Sequence, residues 1–385
     1  MKRCYIYLFT IIILCTLTII NCLSKEEQLK PILEISKDKV TGKVNCLIID
    51  TKDHIFFFND KGICIKKLNI LHDYRSNYYK ISYNHKYIAI SEEIKNKNNK
   101  YTERLRLLNY NFETIWERYF TDPVSIYGVA DDGKRVLIRL STQYDSDYPV
   151  IKYLDEKGAD IVSLDGYELA GADDAGVSSN CRYWVCREQY PEKSSWYFFD
   201  ENGKKYHEQK NINIIDYTIT AISDNGYYTM EIVKNSGYES ILFDKNGKRI
   251  KIIKDDSIYL SKSGNYCIYF DKDYYIFYSI IDNTENKVSE VDIDKKTETV
   301  SSQRILYALN KNISYNGDYL IFNLEPRSIN EYRIGIIWCD EKIKTYKLKL
   351  NQYIKKPSIS HYLIKDFLII YDFSSNIYTL YEIKR

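Results

Sequence analysis

The stretch Ser223-Asp-Asn-Gly226-Tyr-Tyr-Thr-Met decides how this chain folds, because close copies of it recur along the sequence. Each copy reads Ser or Ala, two residues, Gly, one residue and then an aromatic or apolar run, and we call it the Ser-turn motif. Four clear copies begin at Ala130, Ser223, Ser261 and Ser314, and two weaker copies without the glycine begin at Ser82 and Ser178. The successive starts are 48, 48, 45, 38 and 53 residues apart, which indicates a repeated structural unit.

A second motif alternates with the first and consists of an apolar run, Asp, one or more residues and Gly. We call it the Asp-turn motif; its copies are Asp60-Lys-Gly62, Asp155-Glu-Lys-Gly158, Asp200-Glu-Asn-Gly203 and Asp244-Lys-Asn-Gly247. Asp and Asn beside Gly favour the backbone conformations of tight hairpin turns, so each copy predicts a strand, a turn and a strand. Gly62, Gly158 and Gly203 each precede the next Ser-turn motif by 20 residues, so the two turns keep a fixed phase.

Each repeat contains enough strand-forming segments for a small sheet of its own. Around Ala130 the sequence predicts strands at Val124–Val129, Arg135–Leu140, Val150–Leu154 and Ala159–Leu164, and no amphipathic helix is evident in the chain. Four antiparallel strands in a repeat of roughly 45 residues are typical of propeller blades. The predicted fold class is therefore all-β, a β-propeller of four-stranded antiparallel blades. A two-layer sandwich is disfavoured because it needs fewer strands and no fixed phase.

The number of blades follows from counting strands at the two ends of the repeat array. Six complete units run from about residue 74 to 350, with three or four strands in Pro31–Leu68 and three in Ile359–Ile383. This total favours eight blades, with seven as the alternative. Because Tyr378–Ile383 ends the chain without a fourth strand, we expect an N-terminal strand to complete the last blade.

The N-terminus reads as an export signal. Lys2-Arg3 are followed by an uncharged apolar run of 16 residues, Tyr5 to Ile20, which is short for a membrane span. The segment Ile19-Ile20-Asn21-Cys22 resembles the lipobox of bacterial lipoproteins, although Asn stands where Gly, Ala or Ser is usual. Groups with relaxed lipoboxes, the spirochaetes among them, tolerate this residue.

The lipobox resemblance implies a specific layout of the chain. Residues 1–21 would be a cleaved signal peptide, Cys22 the acylated first residue, residues 22–30 a short tether and residues 31–385 a single propeller domain. The acyl chains on Cys22 would hold the protein on a lipid bilayer of a bacterial envelope. A plain secretory signal and an uncleaved N-terminal anchor are the alternatives, and all three readings export the folded part.

The paired motifs resemble the WD40-like repeat of TolB-type bacterial propellers over nearly the whole chain after the leader. The Pro that commonly follows Ser in that family is absent from every copy here, where Asp, Tyr, Lys or Ser takes its place. The motif residues of the family are structural. The resemblance therefore implies the fold and a tendency to bind partners, and it carries over no catalytic residue.

Composition and motif searches narrow the function classes. Lys+Arg number 55 and Asp+Glu 53, and such a neutral chain lacks the basic surface that nucleic-acid binding needs. The five His residues form no metal-ligand spacing, and no Gly-x-Ser-x-Gly, Walker or dinucleotide motif is present, so we expect no metal, no cofactor and no catalytic residue of these types.

The cysteines outside the leader show no metal-ligand spacing either. They are Cys46, Cys64, Cys181, Cys186, Cys267 and Cys339. Their scatter predicts buried small apolar side chains, and a Cys46–Cys64 disulfide is the alternative for an exported protein. We do not expect a bond between Cys181 and Cys186, because five residues along one strand place them on opposite faces.

The connections between second and third strands vary in length and point to a binding rim. Residues 92–103, 141–149, 187–195 and 325–332 are long there, and in a propeller these connections open on one face of the disc. The candidate rim residues are Tyr144, Asp145, Asp147, Tyr148, Arg187, Tyr190, Arg327 and Tyr332. They mix the aromatic and charged groups that dominate contact energy at interfaces.

These observations favour a non-catalytic binding module for a protein, a peptide or an envelope glycan. One alternative is a lyase or glycosidase with its site in the central channel. Convergent carboxylates with shifted pKa values would support that enzyme, and an apolar or filled channel would argue against it. The other alternative is a structural subunit of an envelope assembly, which a broad apolar patch on one disc face would favour.

Overall fold

The computed structural model of the chain describes eighteen segments of it. They are residues 27–28, 31–36, 40–42, 47–50, 54–69, 79–95, 101–141, 149–170, 175–188, 193–213, 217–234, 237–289, 313–324, 331–340, 342–349, 359–364, 367–372 and 377–383. They form thirty-two strands and, within these segments, no helix. Accordingly, the described part of the chain holds no helix capable of crossing a membrane.

The strands assemble into eight sheets that follow the order of the chain, and we call them blades 1 to 8. Three N-terminal strands join later sheets: β1 (Glu27–Gln28), β2 (Pro31–Ser36) and β3 (Val40–Gly42). Blade 1 comprises β4 (Ile48–Asp50), β5 (His54–Phe58) and β6 (Cys64–Asn69). Blade 2 comprises β7 (Tyr79–Ile81), β8 (Tyr87–Lys95), β9 (Tyr101–Asn109) and β10 (Thr114–Phe120).

The next four blades are four-stranded meanders. Blade 3 comprises β11 (Val124–Val129), β12 (Val136–Leu140), β13 (Val150–Leu154) and β14 (Asp160–Asp165). Blade 4 comprises β15 (Tyr167–Leu169), β16 (Trp184–Glu188), β17 (Lys193–Phe199) and β18 (Lys205–Asn213). Blade 5 comprises β19 (Tyr217–Ile222), β20 (Tyr228–Lys234), β21 (Gly237–Phe243) and β22 (Arg249–Lys254). Blade 6 comprises β23 (Tyr259–Leu260), β24 (Tyr266–Asp271), β25 (Tyr274–Ser279) and β26 (Thr284–Ser289).

The last two blades each include a strand from the N-terminus. Blade 7 comprises β27 (Tyr319–Leu324), β28 (Glu331–Trp338) and β29 (Ile343–Lys349), with β1 paired parallel to β29. Blade 8 comprises β30 (Ile359–Ile364), β31 (Phe367–Asp372) and β32 (Ile377–Glu382), followed outward by β2 and β3. The eight sheets agree with the favoured blade number, and the blade 3 strands match their predicted bounds to within one residue.

Strand β2 completes the last blade as predicted. It pairs antiparallel with β32, with Leu33 opposite Leu380 and Ile35 opposite Tyr378. Closing a ring with a strand from the other terminus covers the edge that β32 would otherwise expose. The pairing of β1 is a departure, because Glu27 and Gln28 lie within the predicted tether of residues 22–30.

Apolar clusters join each blade to the next and form the core of the disc. Ile126 and Val136 of blade 3 pack with Leu105 and Trp116 of blade 2, and similar clusters link every successive pair from blades 1 and 2 to blades 7 and 8. A blade alone cannot bury both of its faces, so this stacking supplies most of its apolar burial. The sheet order and these packed pairs identify the fold as a β-propeller.

The two motifs form hairpin turns on the same face, which we call the turn face. In each Ser-turn motif the N–H of the fourth residue donates to the carbonyl of the first, at 2.9–3.0 Å. The fourth residue has a positive φ, such as 86° at Gly226, which glycine adopts without strain. The serine side chains are buried, and the Oγ atoms of Ser82 and Ser178 each accept from two later N–H groups of their turn.

The weaker copies make the same turn without glycine. His85 and Cys181 occupy the fourth position with φ of 60° and 57°. Blade 2 also contains an Asp-turn that the sequence motif missed, because Asn109 replaces Asp and Phe112 replaces Gly with φ of 63°. In blade 1 the predicted turn is present, and its capping side chain is Asn59, whose Oδ1 accepts from two backbone N–H groups, rather than the neighbouring Asp60 of the motif.

Four of the six cysteines outside the leader are buried, as predicted. Cys181, Cys186, Cys267 and Cys339 are buried free thiols. Cys64 is also free and lies 3.4 Å from the carbonyl oxygen of Lys66, so the structure does not form the possible disulfide with Cys46. Cys46 itself lies outside the described residues.

Candidate functional site

The second residue of every Ser-turn motif lies at the centre of the turn face. We call this set the axial cluster: Tyr83, Asp131, Ser179, Asp224, Lys262 and Tyr315, contributed by blades 2 to 7. These positions hold Tyr, Asp, Ser or Lys, so they supply the chemistry of the axis. Their contacts bridge blades that are far apart in the chain, which requires the array to curve into a ring.

Asp224 accepts hydrogen bonds from two other blades. Its Oδ1 accepts from the backbone N–H of Asn180 at 2.8 Å, and its Oδ2 accepts from Ser179 Oγ at 2.8 Å and from Tyr315 Oη at 2.7 Å. The backbone N–H of Asp224 donates to the carbonyl of Lys262 at 2.7 Å. Asp224 of blade 5 therefore ties blades 4 and 7 through its carboxylate and blade 6 through its backbone N–H.

Aromatic rings complete the brace across the axis. The rings of Tyr83 and Tyr315 stack with centroids 5.0 Å apart, which joins blade 2 to blade 7. The Lys262 ammonium lies 4.7 Å from the centroid of the Tyr83 ring, an arrangement of the cation–π type. Asn84 binds its neighbour in blade 3 through its N–H, which donates to Asp131 Oδ1 at 2.6 Å.

The surrounding protein shifts the acidity of two axial groups. Withdrawal from bulk water raises the pKa of Asp224, and hydrogen bonds from Tyr315, Asn180 and Ser179 oppose this shift. Withdrawal from bulk water also lowers the pKa of Lys262, against the attraction of Asp224. The Lys262 residue as a whole is nevertheless exposed to solvent.

A second carboxylate with shifted acidity lies on blade 1. Asp50 Oδ2 accepts a hydrogen bond from Tyr79 Oη at 3.0 Å, and burial raises the pKa of Asp50 to about 6, against that bond and the charge of Lys80. Lys80 also acts electrostatically on Lys262, so blades 1, 2 and 6 contribute to one electrostatic environment.

A polar cavity of about 360 Å³ opens beside the axial cluster, and we call it the turn-face cavity. Its walls are Ala130, Asp131, Asp132, Lys134, Arg135, Asn180, Arg182, Glu201 and Tyr315. All of these residues belong to Ser-turns of blades 3, 4 and 7 or to the Asp-turn of blade 4. Three acidic and three basic side chains face it, so its formal charge is balanced.

The predicted rim falls mostly outside the described residues. Tyr144, Asp145, Asp147, Tyr148, Tyr190 and Arg327 lie there, and Tyr332 lies in β28 with only its backbone described. Arg187 is not in a loop but in β16, where its guanidinium Nε donates to Glu168 Oε1 at 2.7 Å. The structure thus describes one rim side chain, and that side chain is paired within its own blade.

The loops of the predicted rim are also shorter than expected where their flanks are described. The interval 92–103 reduces to residues 96–100, because β8 continues to Lys95 and β9 begins at Tyr101. The interval 187–195 reduces to residues 189–192 for the same reason. The ends of these strands carry charged residues, which suggested a loop from the sequence alone. In the structure such residues pair across strands, as Glu92 does with Arg104 at 2.8 Å.

The sequence alone does not predict the axial cluster, because the second residue of the Ser-turn motif looks like an ordinary turn residue there. The signal that identifies it is the variety at that one position, since the flanking Ser and Gly repeat while Asp, Tyr, Lys and Ser alternate between them. The contacts join residues that are far apart in the chain, with 91 positions between Asp224 and Tyr315 and more between Tyr83 and Tyr315. No local pattern reveals such pairs.

Comparisons with known proteins add three structural similarities. The propeller domain of the Trilobed protease from Pyrococcus furiosus aligns with a TM-score of 0.47 and 12% identity over 81% of this chain and 97% of that chain. A eukaryotic initiation factor gives 0.42 and 9% over 86% and 97%, and TolB from Acinetobacter baumannii gives 0.31 and 14% over 80% and 79%. No family model and no curated protein matches the sequence.

Proposed function

We propose that this chain is an exported, lipid-anchored β-propeller that acts as a non-catalytic binding module for a protein, a peptide or an envelope glycan. The proposal places the ligand on the loop face, where second strands connect to third strands and fourth strands to the next blade. The candidate rim residues Tyr144, Asp145, Asp147, Tyr148, Arg187, Tyr190, Arg327 and Tyr332 belong to this proposal.

The difference between the two faces carries the proposal. On the turn face the same hydrogen-bonded turns recur from blade to blade, and the axial cluster joins them across the centre. On the loop face the second-to-third connections range from two residues, 235–236, to nine residues, 141–149. Loops of variable length on a rigid scaffold are where binding surfaces concentrate.

Replacement of residues 142–148 by Asn-Gly tests the loop face directly. The full-length protein and this variant are used to capture partners from envelope extract. We expect the variant to lose the partner, whereas a control with Lys245→Ser and Asn246→Ser in the blade 5 turn keeps it. Equal capture by both variants and the wild type would remove the 141–149 connection from the binding surface.

The anchor is tested separately. We expect wild-type cells to incorporate labelled palmitate into the protein, globomycin to block its processing and Cys22→Ser to abolish the label. Unlabelled but processed protein would indicate a plain secretory signal instead. Retention of the apolar leader in the mature protein would indicate an uncleaved anchor.

Two of the carboxylates with raised pKa values, Asp50 and Asp224, favour one alternative, a lyase or glycosidase in the central channel. The Asp224 carboxylate accepts three hydrogen bonds, which suits a structural brace. Asp50 accepts a hydrogen bond from Tyr79 and has a pKa raised to about 6, which suits a proton carrier. Polysaccharide cleavage that Asp50→Asn abolishes without loss of folding would establish the enzyme. The absence of any such activity in the folded wild type would exclude this enzyme and favour the non-catalytic binding module.

The structural-subunit alternative has less support among the described residues. The large exposed apolar side chains there include Ile63, Ile115, Val233 and Ile281, which lie on blades 1, 2, 5 and 6. Such scattered groups are ordinary on a monomer surface.

A further inference from the structure

The walls of the turn-face cavity carry hydrogen-bonding groups without partners in the described part of the chain. Asn180 Oδ1 accepts from Ser178 Oγ and from the N–H of Arg182, whereas its Nδ2 group has no partner there. Asp132 Oδ1 accepts from the N–H of Lys134, whereas its Oδ2 has none within the same residues. A carboxylate oxygen and an amide N–H₂ group therefore remain available beside the cavity.

These walls are held in place before any ligand arrives. Arg135 Nε donates to the carbonyl of Glu201 at 3.0 Å, and its Nη1 donates to the carbonyl of Lys134 at 2.8 Å. The backbone of Asn180 is tied to Asp224 of the axial cluster. Side chains fixed in this way lose little conformational freedom on binding, which favours affinity.

The charge balance of the walls selects the ligand class. Three acidic groups offset three basic groups around the cavity, so a strongly charged ligand would meet repulsion from half of them. A sugar hydroxyl both donates and accepts, as a mixed wall of carboxylate, amide and guanidinium requires. The volume of about 360 Å³ falls within the range of ordinary small-ligand pockets.

A second cavity shows the contrast. It measures about 600 Å³ and lies between blades 5 and 6, where Lys251 pairs with Glu285 at 2.5 Å and Tyr269 Oη donates to Glu285 at 2.6 Å. Lys251, Tyr269 and Glu285 satisfy one another there. The turn-face cavity differs because its unused groups, Asn180 and Asp132, belong to turns that the axial cluster and Arg135 hold in place.

We propose that the turn-face cavity is a binding site for a neutral sugar, with Asp132 and Asn180 as hydrogen-bonding contacts to its hydroxyl groups. Arg135 and Arg182 contribute further donors from the two flanking blades. This site does not rest on the function proposed for the loop face, because it lies on the opposite face of the disc. A sugar at this site would contact the turns that the repeat builds.

The test is titration of the full-length protein with cellobiose, maltose and N,N′-diacetylchitobiose, read by calorimetry and by saturation-transfer NMR. We expect at least one sugar to bind the wild type. Asn180→Asp keeps the side-chain oxygen that accepts hydrogen bonds within the turn and removes the N–H₂ donor. Asp132→Asn keeps the oxygen that accepts from the N–H of Lys134 and replaces the second carboxylate oxygen by an N–H₂ group. Each change should weaken binding about tenfold, the usual effect of one lost buried hydrogen bond.

The control Asn246→Asp makes the same chemical change in a blade 5 turn away from the cavity and should leave affinity within about twofold of the wild type. Circular dichroism establishes that each variant folds, and Asp132→Asn carries the test if Asn180→Asp does not. Binding of none of the three sugars by the folded wild type would overturn the proposal. Binding that neither cavity variant weakens, or preference for gluconate over the neutral sugars, would also overturn it.

Discussion

The turn face and the loop face of this propeller are built by different rules. On the turn face, Ser and Gly hold one geometry in blade after blade, and the residue between them, such as Asp224 or Lys262, is free to vary because it points to the axis. On the loop face, no motif recurs and the connections differ in length. The comparison shows that the repeated Ser and Gly residues fix the geometry of the turns, while the variable residue between them provides the chemistry of the axial cluster.

The largest effect is expected at the seam where the ring closes. Deletion of residues 27–36 removes β1 and β2, which exposes the edge of β32 and eliminates the pairs from Pro31 to Ser36. We expect a loss of about 5 kcal/mol of stability or outright aggregation, measured by thermal unfolding against protein that begins at Glu27. An unchanged unfolding midpoint would mean that the N-terminal strand does not close the ring.

The next effect tests the rule of the turn face. Gly264 has φ of 77°, and a Cβ there would overlap Asn225 of the preceding blade. Gly264→Ala should therefore cost about 2–3 kcal/mol in the free energy of unfolding, measured by denaturant titration. If the substitution is neutral, contact between successive Ser-turns does not stabilise the disc.

The third prediction concerns Asp50 at the end of strand β4 in blade 1. Because burial raises the pKa of Asp50 to about 6, the folded state favours its protonated form, and the stability that this form contributes is lost as pH rises through 6. Asp50→Asn should be more stable than the wild type by roughly 1–2 kcal/mol at pH 8 and equally stable at pH 4. The same difference at both pH values would contradict a raised pKa.

The smallest effect tests the rule of the loop face. Lys272 lies in the two-residue connection between β24 and β25 with φ of 56°, where glycine would be unstrained. Lys272→Gly should stabilise the protein by about 0.5–1 kcal/mol in denaturant titration. Destabilisation would show that this loop-face residue makes contacts that outweigh its backbone strain.

Sequence reasoning reached the fold because turns and strands are local. Gly226 and Asp200 indicate hairpin turns through their own backbone preferences. The absence of a fourth strand after β32 predicted that an N-terminal strand completes the blade, and β2 does so. It failed where Asn59 and Asn109 cap turns in place of Asp, since an amide oxygen caps as well as a carboxylate does.

The candidate site was beyond local patterns for a different reason. The Tyr83–Tyr315 stack and the bond from Tyr315 to Asp224 depend on closure of the ring, which brings distant repeats together. The variety at the second motif position was visible in the sequence, but its meaning required the curvature of the array. Arg187 illustrates the opposite error. It was predicted in a loop on the assumption that charged residues end a strand, whereas it lies within strand β16.

The most direct test of the account is a cross-link across the axis. Cysteines introduced by Tyr83→Cys and Tyr315→Cys, on blades 2 and 7, should be joined within one chain by a short bismaleimide. The control pair Lys61→Cys and Lys245→Cys, in the Asp-turns of blades 1 and 5, should not be joined. An intramolecular link in the first pair alone is the predicted result, and no link between positions 83 and 315 in the folded protein would contradict the closed ring.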